Sequence, residues 1–170
     1  LRASGFVNIN LDLMLGLPLQ TAASWKDSLR KAEDMAVPHI SIYMLDLDEG
    51  CPLKSLVQRG AVPIPDEEFL SDLYLETVER LQRSGYIQYE ISNFCLPGFA
   101  CRHNLKYWTR VPVYGFGLAS HSFDGLSRSA NYSSMDAYLG SVETGGSPVQ
   151  WRDMVTGSRA LQETLFLGLR

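Results

Sequence analysis

An α/β fold is predicted because strand-like and helix-like segments alternate along the first half of the chain. Residues 7–18 alternate between apolar and polar side chains, which is the pattern of a strand with two different faces. Residues 39–47 and 86–94 form two further strand-like runs. Because segments with helical spacing lie between these runs, the order strand, helix, strand, helix, strand predicts a mainly parallel sheet.

The two helices are predicted from their end residues and their apolar stripes. Thr21 is the candidate N-cap of the first helix, and Pro38 follows its end. Asp66 is the candidate N-cap of the second helix, which Gly85 ends. Residues 50–65 are rich in glycine and proline, and they predict turns rather than regular structure.

The first strand has a polar face that a fully buried parallel strand would lack. Asn8, Asn10 and Asp12 alternate with apolar residues, whereas parallel strands are normally almost entirely apolar. Ligands of α/β sheets bind beyond the carboxyl ends of the strands, and Asp12 lies near that end. We interpret the row as the lining of a barrel cavity in which Asp12 contacts a polar ligand. The alternative is an antiparallel edge strand with one face in water.

Composition excludes some classes of function. The formal charge of −4 and the pI near 5.3 leave no basic stripe for nucleic acid. No apolar run is long enough to span a bilayer, so we expect a cytoplasmic protein, with contact at a membrane surface left open. The three cysteines are odd in number and irregularly spaced, which favours reduced thiols.

The second half is predicted to be loop-rich. Glycine, proline, serine and asparagine punctuate residues 95–150, with a short helix near residues 134–142. Residues 158–170 have helical spacing with Ser158 as the candidate N-cap, and the pattern continues to the last residue. We therefore expect the chain to be an excerpt of a longer protein.

The run CRHNLKYW at residues 101–108 contains the densest mixture of reactive side chains. Cys101, His103 and Tyr107 are all residue types that can be axial ligands of heme iron. The alternative is an aromatic loop that only caps a core. Two other histidine and cysteine positions are weaker candidates: His121 as a ligand or acid/base, and Cys51, before a proline, as a heme thiolate. The GxG at residues 115–117 predicts a tight turn that lets the backbone approach a ligand or a neighbouring strand, rather than a phosphate site.

Five segments taken together carry a family resemblance: NINLDLMLGLP, HISIYMLDLDEG, GYIQYEISNF, PGFACRHNLKYW and GFGLASHSF. In this order they resemble the oxygen-independent coproporphyrinogen III oxidase-like proteins of the radical S-adenosylmethionine (SAM) superfamily. Within that family the RHNxxYW run is similar to that of the HemW-type heme chaperones. The resemblance covers nearly the whole chain.

The resemblance implies the C-terminal portion of a partial (β/α)6 radical SAM barrel. Residues 1–94 would supply the last βα units, residues 95–150 a loop-rich extension, and residues 151–170 the start of a helical C-terminal domain. The family's [4Fe-4S] cluster would be held by cysteines upstream of Leu1. We therefore expect no cluster ligand in this chain. The chain alone is expected neither to hold the cluster nor to cleave SAM.

The resemblance also implies functional residues and partners. SAM contacts are expected at Asp12, Tyr43 and Asp46. The heme-associated motif is expected at His103, Asn104, Tyr107 and Trp108, with His103 as the candidate iron ligand. The implied function is heme binding and delivery to an acceptor protein. The alternatives are a true coproporphyrinogen III oxidase, which makes protoporphyrinogen IX by SAM-radical oxidative decarboxylation, and a segment that serves only as scaffold.

Overall fold

The computed structural model describes residues 1–169, which form two compact units. The first unit comprises Leu1–Ala100 and the second begins at Cys101. Each unit has its own sheet and its own helices, and each is described by itself.

The first unit contains a four-stranded mixed sheet, three α-helices and a short 3-10 helix at Arg2–Ser4. The strands are β1 (Asn10–Leu15), β2 (His39–Met44), β3 (Ile87–Glu90) and β4 (Asn93–Cys95), in the spatial order β1-β2-β4-β3. The helices are α1 (Ala22–Asp34), α2 (Pro52–Gln58) and α3 (Glu67–Arg83). β1 and β2 are parallel, whereas β4 is antiparallel to both of its neighbours. The parallel pairing of β1 with β2 contradicts the antiparallel alternative for the first strand.

The third predicted strand is wrong in detail. Residues 86–94 do not form one parallel strand but turn back on themselves as the β3–β4 hairpin. The Glu90 carboxylate accepts a hydrogen bond from the backbone N–H of Ser92 (3.2 Å) and another from the side-chain amide of Asn93. These bonds close the turn after β3, so the chain reverses before it pairs with β2.

The predicted helix N-caps of this unit are confirmed. Thr21 and Ser24 form a reciprocal capping box at the start of α1, and the Asp66 side chain accepts from the backbone of Phe69 at the start of α3. Residues 50–65, predicted as turns, also contain α2, in which Pro52 occupies the first turn. A seven-residue helix of this kind has too few residues to show a clear apolar period.

One face of the first sheet packs against the helices. Leu11, Leu13 and Leu15 of β1 point toward this core, as the predicted alternation requires. The largest fully buried side chains of the core are Leu15, Trp25, Leu29, Ile40, Ile42, Leu81 and Phe94. The opposite face carries Asn10 and Asp12. Asn8 precedes β1, so only part of the predicted polar row belongs to the strand.

The second unit contains more regular structure than its composition predicts. Its helices are α4 (Arg102–Trp108), α5 (Met135–Glu143) and α6 (Gly157–Gly168), and its strands are β5 (His121–Phe123), β6 (Ser127–Asn131) and β7 (Val149–Met154). The strands form an antiparallel sheet in the order β5-β6-β7. The predicted short helix is confirmed as α5, with Ser134 as its N-cap.

Helix α6 differs from its prediction at the first residue. Its N-cap is Thr156, so Ser158 lies inside the helix. Arg110 Nη1 donates to the Ala160 carbonyl (2.6 Å), and Arg128 Nη2 lies 2.9 Å from the Glu163 carboxylate. The first contact attaches α6 to the segment that follows α4, and the second attaches it to β6. Its outward side is strongly apolar and exposed, as shown by Leu161, Leu165, Phe166 and Leu169.

Candidate functional site

Two of the three side chains predicted to contact SAM, those of Asp12 and Tyr43, lie on the face of the first sheet opposite its helices. Asp12 of β1 pairs with Ser41 of β2, and Met14 pairs with Tyr43. Because paired residues of adjacent strands point to the same face, Asp12 and Tyr43 are diagonal neighbours on that face. Both side chains are exposed, and Tyr43 lies near the carboxyl end of β2. Asp46 is exposed just beyond that end, so it follows the same strand but is not part of the sheet.

A hydrogen-bonded network lies beneath Asp12 on the same face. Asn10 Nδ2 donates to Asp12 Oδ1 (2.6 Å), while Asn10 Oδ1 lies 2.6 Å from His39 Nδ1. Ser41 Oγ donates to the same Asn10 oxygen (3.3 Å), and His39 Nε2 lies 2.8 Å from the Tyr89 hydroxyl. The network therefore joins β1, β2 and β3.

Burial decides the charge state of the histidine in this network. His39 is only 6% exposed. Burial lowers the pKa of His39, and this effect outweighs the nearby carboxylates of Asp12 and Glu90, which act in the opposite direction. The imidazole is therefore neutral at neutral pH, and only one of its two ring nitrogens carries a proton.

Sequence reasoning missed His39, Ser41 and Tyr89 as members of this site. The available signal was the alternation in HISIYM, which places His39, Ser41 and Tyr43 on one face of β2. Asn93 extends the polar surface on β4 opposite Ser41, and its buried Oδ1 has no hydrogen-bond partner among residues 1–169. A face this rich in polar groups fits a polar ligand such as SAM better than an apolar one.

The second group of predicted residues lies on α4. The run was expected in a loop, but Arg102–Trp108 is helical. His103 and Tyr107 are separated by one turn; His103 Nε2 lies 3.2 Å from the Tyr107 hydroxyl, and the rings meet edge to face at 5.0 Å. Both side chains are exposed, whereas Asn104 and Trp108 are half-buried. The motif is thus two interleaved pairs, one exposed and one facing the unit.

The exposed pair has the donor chemistry that heme iron accepts. An imidazole nitrogen and a phenol oxygen are both axial ligands of heme iron in proteins, and here they lie within hydrogen-bonding distance of each other. Cys101 is the half-buried N-cap residue of the same helix, so the thiol lies at its start and not beside Tyr107. The geometry favours His103 or Tyr107 over Cys101 as a residue that meets an incoming ligand.

The remaining candidates are placed elsewhere. His121 is exposed in β5, and its ring meets that of Trp151 at 5.8 Å. Cys51 is the half-buried N-cap residue of α2. A Cβ at Gly115 would lie 2.4 Å from the His121 carbonyl oxygen, which confirms that the GxG permits a close backbone approach. Among residues 1–169, no three His, Cys, Asp or Glu side chains converge as a metal site, and no helix is long and apolar enough to cross a membrane.

The chain shares its fold with part of a solved radical SAM enzyme. The structure resembles that of Escherichia coli coproporphyrinogen III oxidase (HemN), a radical SAM enzyme, with a TM-score of 0.77 and 20% identity over 99% of this chain and 41% of the other. The fold predicted from the sequence, a portion of a radical SAM barrel, is therefore confirmed. No family model matches the chain.

The chain is similar in sequence to curated proteins named as heme chaperones. The chain is 34% identical to the heme chaperone HemW of Bacillus subtilis over 99% of its own length, and 38% identical to that of Synechocystis over 96%. It is also 33% identical to the mitochondrial radical S-adenosyl methionine domain-containing protein 1 of Bos taurus. The predicted resemblance is confirmed: the chain is a homologue of the HemW-type heme chaperones. It spans 45% of the Bacillus relative and 40% of the Synechocystis relative.

Proposed function

We propose that the chain is part of a HemW-like radical SAM heme chaperone, which binds heme and delivers it to acceptor proteins. The observation that carries this proposal is the similarity, along nearly the whole chain, to relatives named heme chaperone. The exposed His103–Tyr107 pair supports it, because an exposed ligand pair can both receive heme and release it to a partner. In this proposal Asn104 and Trp108 hold the helix so that the pair stays exposed.

The same proposal assigns SAM to the polar face of the first sheet. Asp12, Tyr43 and Asp46 would contact SAM, with Tyr43 presenting a flat aromatic wall and Asp12 a hydrogen-bond acceptor. When bound to a reduced [4Fe-4S] cluster, SAM supplies radical chemistry to proteins of this class. The cluster ligands would lie in the part of the whole protein that these 170 residues do not cover.

Heme titration of the full-length protein tests the heme assignment. Replacing both ligand candidates (His103→Ala with Tyr107→Ala) should shift the Soret band and weaken heme binding about tenfold or more, because both oxygen and nitrogen donors are lost from α4. The matched control is Tyr114→Ala with Phe116→Ala, which removes two exposed aromatic side chains from the same unit. An unchanged Soret spectrum and affinity in the first variant would eliminate the ligand role of α4.

A second candidate function is that of a coproporphyrinogen III oxidase, which the structural similarity to HemN favours. The whole protein would then oxidatively decarboxylate coproporphyrinogen III propionates to give protoporphyrinogen IX, with SAM as the oxidant. Product analysis under anaerobic, reducing conditions separates the two candidates. Stoichiometric heme binding without protoporphyrinogen formation supports the chaperone, whereas catalytic formation of protoporphyrinogen supports the oxidase.

The proposal also includes a location and a partner. We propose that the whole protein is cytoplasmic, with an acceptor protein as its partner and contact at a membrane surface during delivery. The formal charge of −4 supports a protein that is not held on anionic lipid by its own charge. Cell fractionation followed by heme-transfer assays with supernatant and membrane fractions would locate the acceptor.

A further inference from the structure

We propose that Asn10 is a positioning residue that orients the Asp12 carboxylate toward SAM, and that Tyr89 and His39 fix the orientation of Asn10. The inference rests on the proposed SAM contact of Asp12 and deepens it. It is carried by a continuous chain of three contacts: Tyr89 hydroxyl to His39 Nε2 (2.8 Å), His39 Nδ1 to Asn10 Oδ1 (2.6 Å), and Asn10 Nδ2 to Asp12 Oδ1 (2.6 Å).

The acceptor groups determine which partner donates in each hydrogen bond of this series. A carboxylate only accepts hydrogen bonds, so the Asn10 amide must turn its NH₂ toward Asp12. Asn10 Oδ1 then faces His39 and Ser41 and accepts from both of them. His39 must carry its proton on Nδ1, which leaves Nε2 to accept from the Tyr89 hydroxyl. A flipped amide would place an oxygen against the Asp12 carboxylate and an NH₂ against the His39 N–H, and both contacts would be repulsive.

Burial makes this orientation persistent. His39 and Ser41 are buried, at 6% and 2% exposure, whereas Asn10 and Asp12 at the other end of the hydrogen-bonded series are exposed. Buried donors cannot exchange their partner for water without a desolvation cost. Burial lowers the pKa of His39 and so keeps the ring neutral, with the single N–H that the contacts to Asn10 and Tyr89 require. The buried end therefore fixes the amide, and the amide fixes one oxygen of the exposed carboxylate.

The competing explanation is that the network only satisfies buried polar groups where three strands meet. The two explanations differ in how the residues are coupled. A structural network would affect stability without depending on Asp12. A positioning network would affect SAM affinity only through Asp12, so its effect would vanish once Asp12 cannot respond.

The test is SAM affinity, measured by equilibrium binding to the full-length protein with its cluster reconstituted. Tyr89→Phe and His39→Leu should each weaken SAM binding about three- to tenfold, because the carboxylate loses its fixed orientation. His39→Asn should keep SAM affinity within about twofold of the wild-type value, since its side-chain amide can donate to Asn10 from near the position of His39 Nδ1. Tyr74→Phe is the matched control, because it removes a tyrosine hydroxyl that donates to the Ile91 carbonyl and accepts from Gln88, neither of which belongs to the series of contacts that ends at Asp12.

Two comparisons decide the outcome. In the double variant Tyr89→Phe with Asp12→Asn, SAM affinity should equal that of Asp12→Asn alone. Suppose that Asp12→Asn weakens SAM binding. If Tyr89→Phe alone then has no effect, or if its effect adds in full to that of Asp12→Asn in the double variant, the positioning role is overturned while the SAM site stands. If Asp12→Asn itself leaves SAM affinity unchanged, the proposed SAM contact fails. Because Tyr89→Phe removes only a hydroxyl from a half-buried ring, the test does not depend on whether His39→Leu folds.

Discussion

One buried hydrogen bond joins the two long helices of the first unit. The Trp25 indole Nε1 donates to Thr77 Oγ1 at 2.8 Å, and both residues are 1% exposed. The same Thr77 hydroxyl donates to the Leu73 carbonyl (2.7 Å), so a single oxygen satisfies a tryptophan of α1 and a carbonyl of α3. Buried polar groups are costly when their partner is removed, so Thr77 should be sensitive to a change that preserves its shape.

Replacing the hydroxyl by a methyl group tests this bond. We expect Thr77→Val to lower the stability of the first unit by about 1–3 kcal/mol, because the buried indole N–H loses its acceptor. Native-state hydrogen exchange of α1 and α3 amides in the full-length protein measures the change. Thr144→Val, an exposed threonine after α5, should change stability by less than about 0.5 kcal/mol. Equal effects at both positions would contradict the role of burial.

Residue-level features were predictable where they depend on local chemistry. Thr21 and Asp66 are caps because their side-chain oxygens can accept from the next turn, and this requirement is visible in sequence. His39 was not identified because its role depends on Asn10 and on Tyr89, which lie 29 and 50 residues away. Sequence spacing carries no information about contacts of that kind.

At the scale of elements, two glycines have opposite surroundings. Gly140 lies inside α5, where a Cβ would meet no atom within 4 Å. Gly115 lies against the backbone of β5, where a Cβ would lie 2.4 Å from the His121 carbonyl oxygen. Alanine should therefore be tolerated at the first position and excluded at the second.

We expect Gly140→Ala to stabilise α5 by about 0.5–1 kcal/mol, because alanine loses less backbone entropy in a helix. Gly115→Ala should destabilise the second unit, because the backbone of β5 must move to admit the methyl group. Amide exchange in α5 and β5 of the full-length protein reports both effects. Stabilisation by Gly115→Ala would show that the loop can relax away from β5.

Elements with a strong apolar period were predicted, as was the short helix α5, whereas α4 and the strands of the second unit were not. β6 reads SRSAN and β5 has three residues, so neither displays the alternation that marks a strand. α4 contains His103, Asn104, Tyr107 and Trp108, which are weak helix formers, and its seven residues show no clear stripe. Tertiary packing decides the structure of such segments.

At the scale of the whole molecule, the sheet of the first unit is open. β1 and β3 are its edge strands among the described residues, and β3 is short and bulged. The polar face with Asp12 and Tyr43 is exposed, as are the apolar side chains on the outward side of α6. Residues 1–169 therefore expose both a polar sheet face and an apolar helix face.

We expect the isolated 170-residue chain to be poorly stable for this reason. It should bind the dye ANS and unfold over a broad temperature range without a sharp transition. Calorimetry and ANS fluorescence, with the full-length protein as the comparison, measure both properties. A cooperative transition near 45–65 °C, about the range of ordinary mesophilic domains, would contradict this expectation.

The overall architecture was more predictable than the arrangement of the site. Alternation in residues 7–18 placed Asp12 on a polar face and suggested a barrel cavity, and the family resemblance added Tyr43. The mixed direction of the sheet was not predictable, because the reversal after Glu90 depends on side-chain contacts within a short turn. The division of the aromatic motif into an exposed and a half-buried pair required knowledge that α4 is a helix.

The helical setting of His103, Asn104, Tyr107 and Trp108 makes the length of the motif as important as its composition. Each residue of an α-helix advances by about 100°, so one inserted or deleted residue between Asn104 and Tyr107 would rotate the later aromatic residues by more than a quarter turn. Tyr107 would leave His103, and Trp108 would leave Asn104. Leu105 and Lys106 thus act as a spacer of fixed length, and changing their number would be more damaging than changing their side chains.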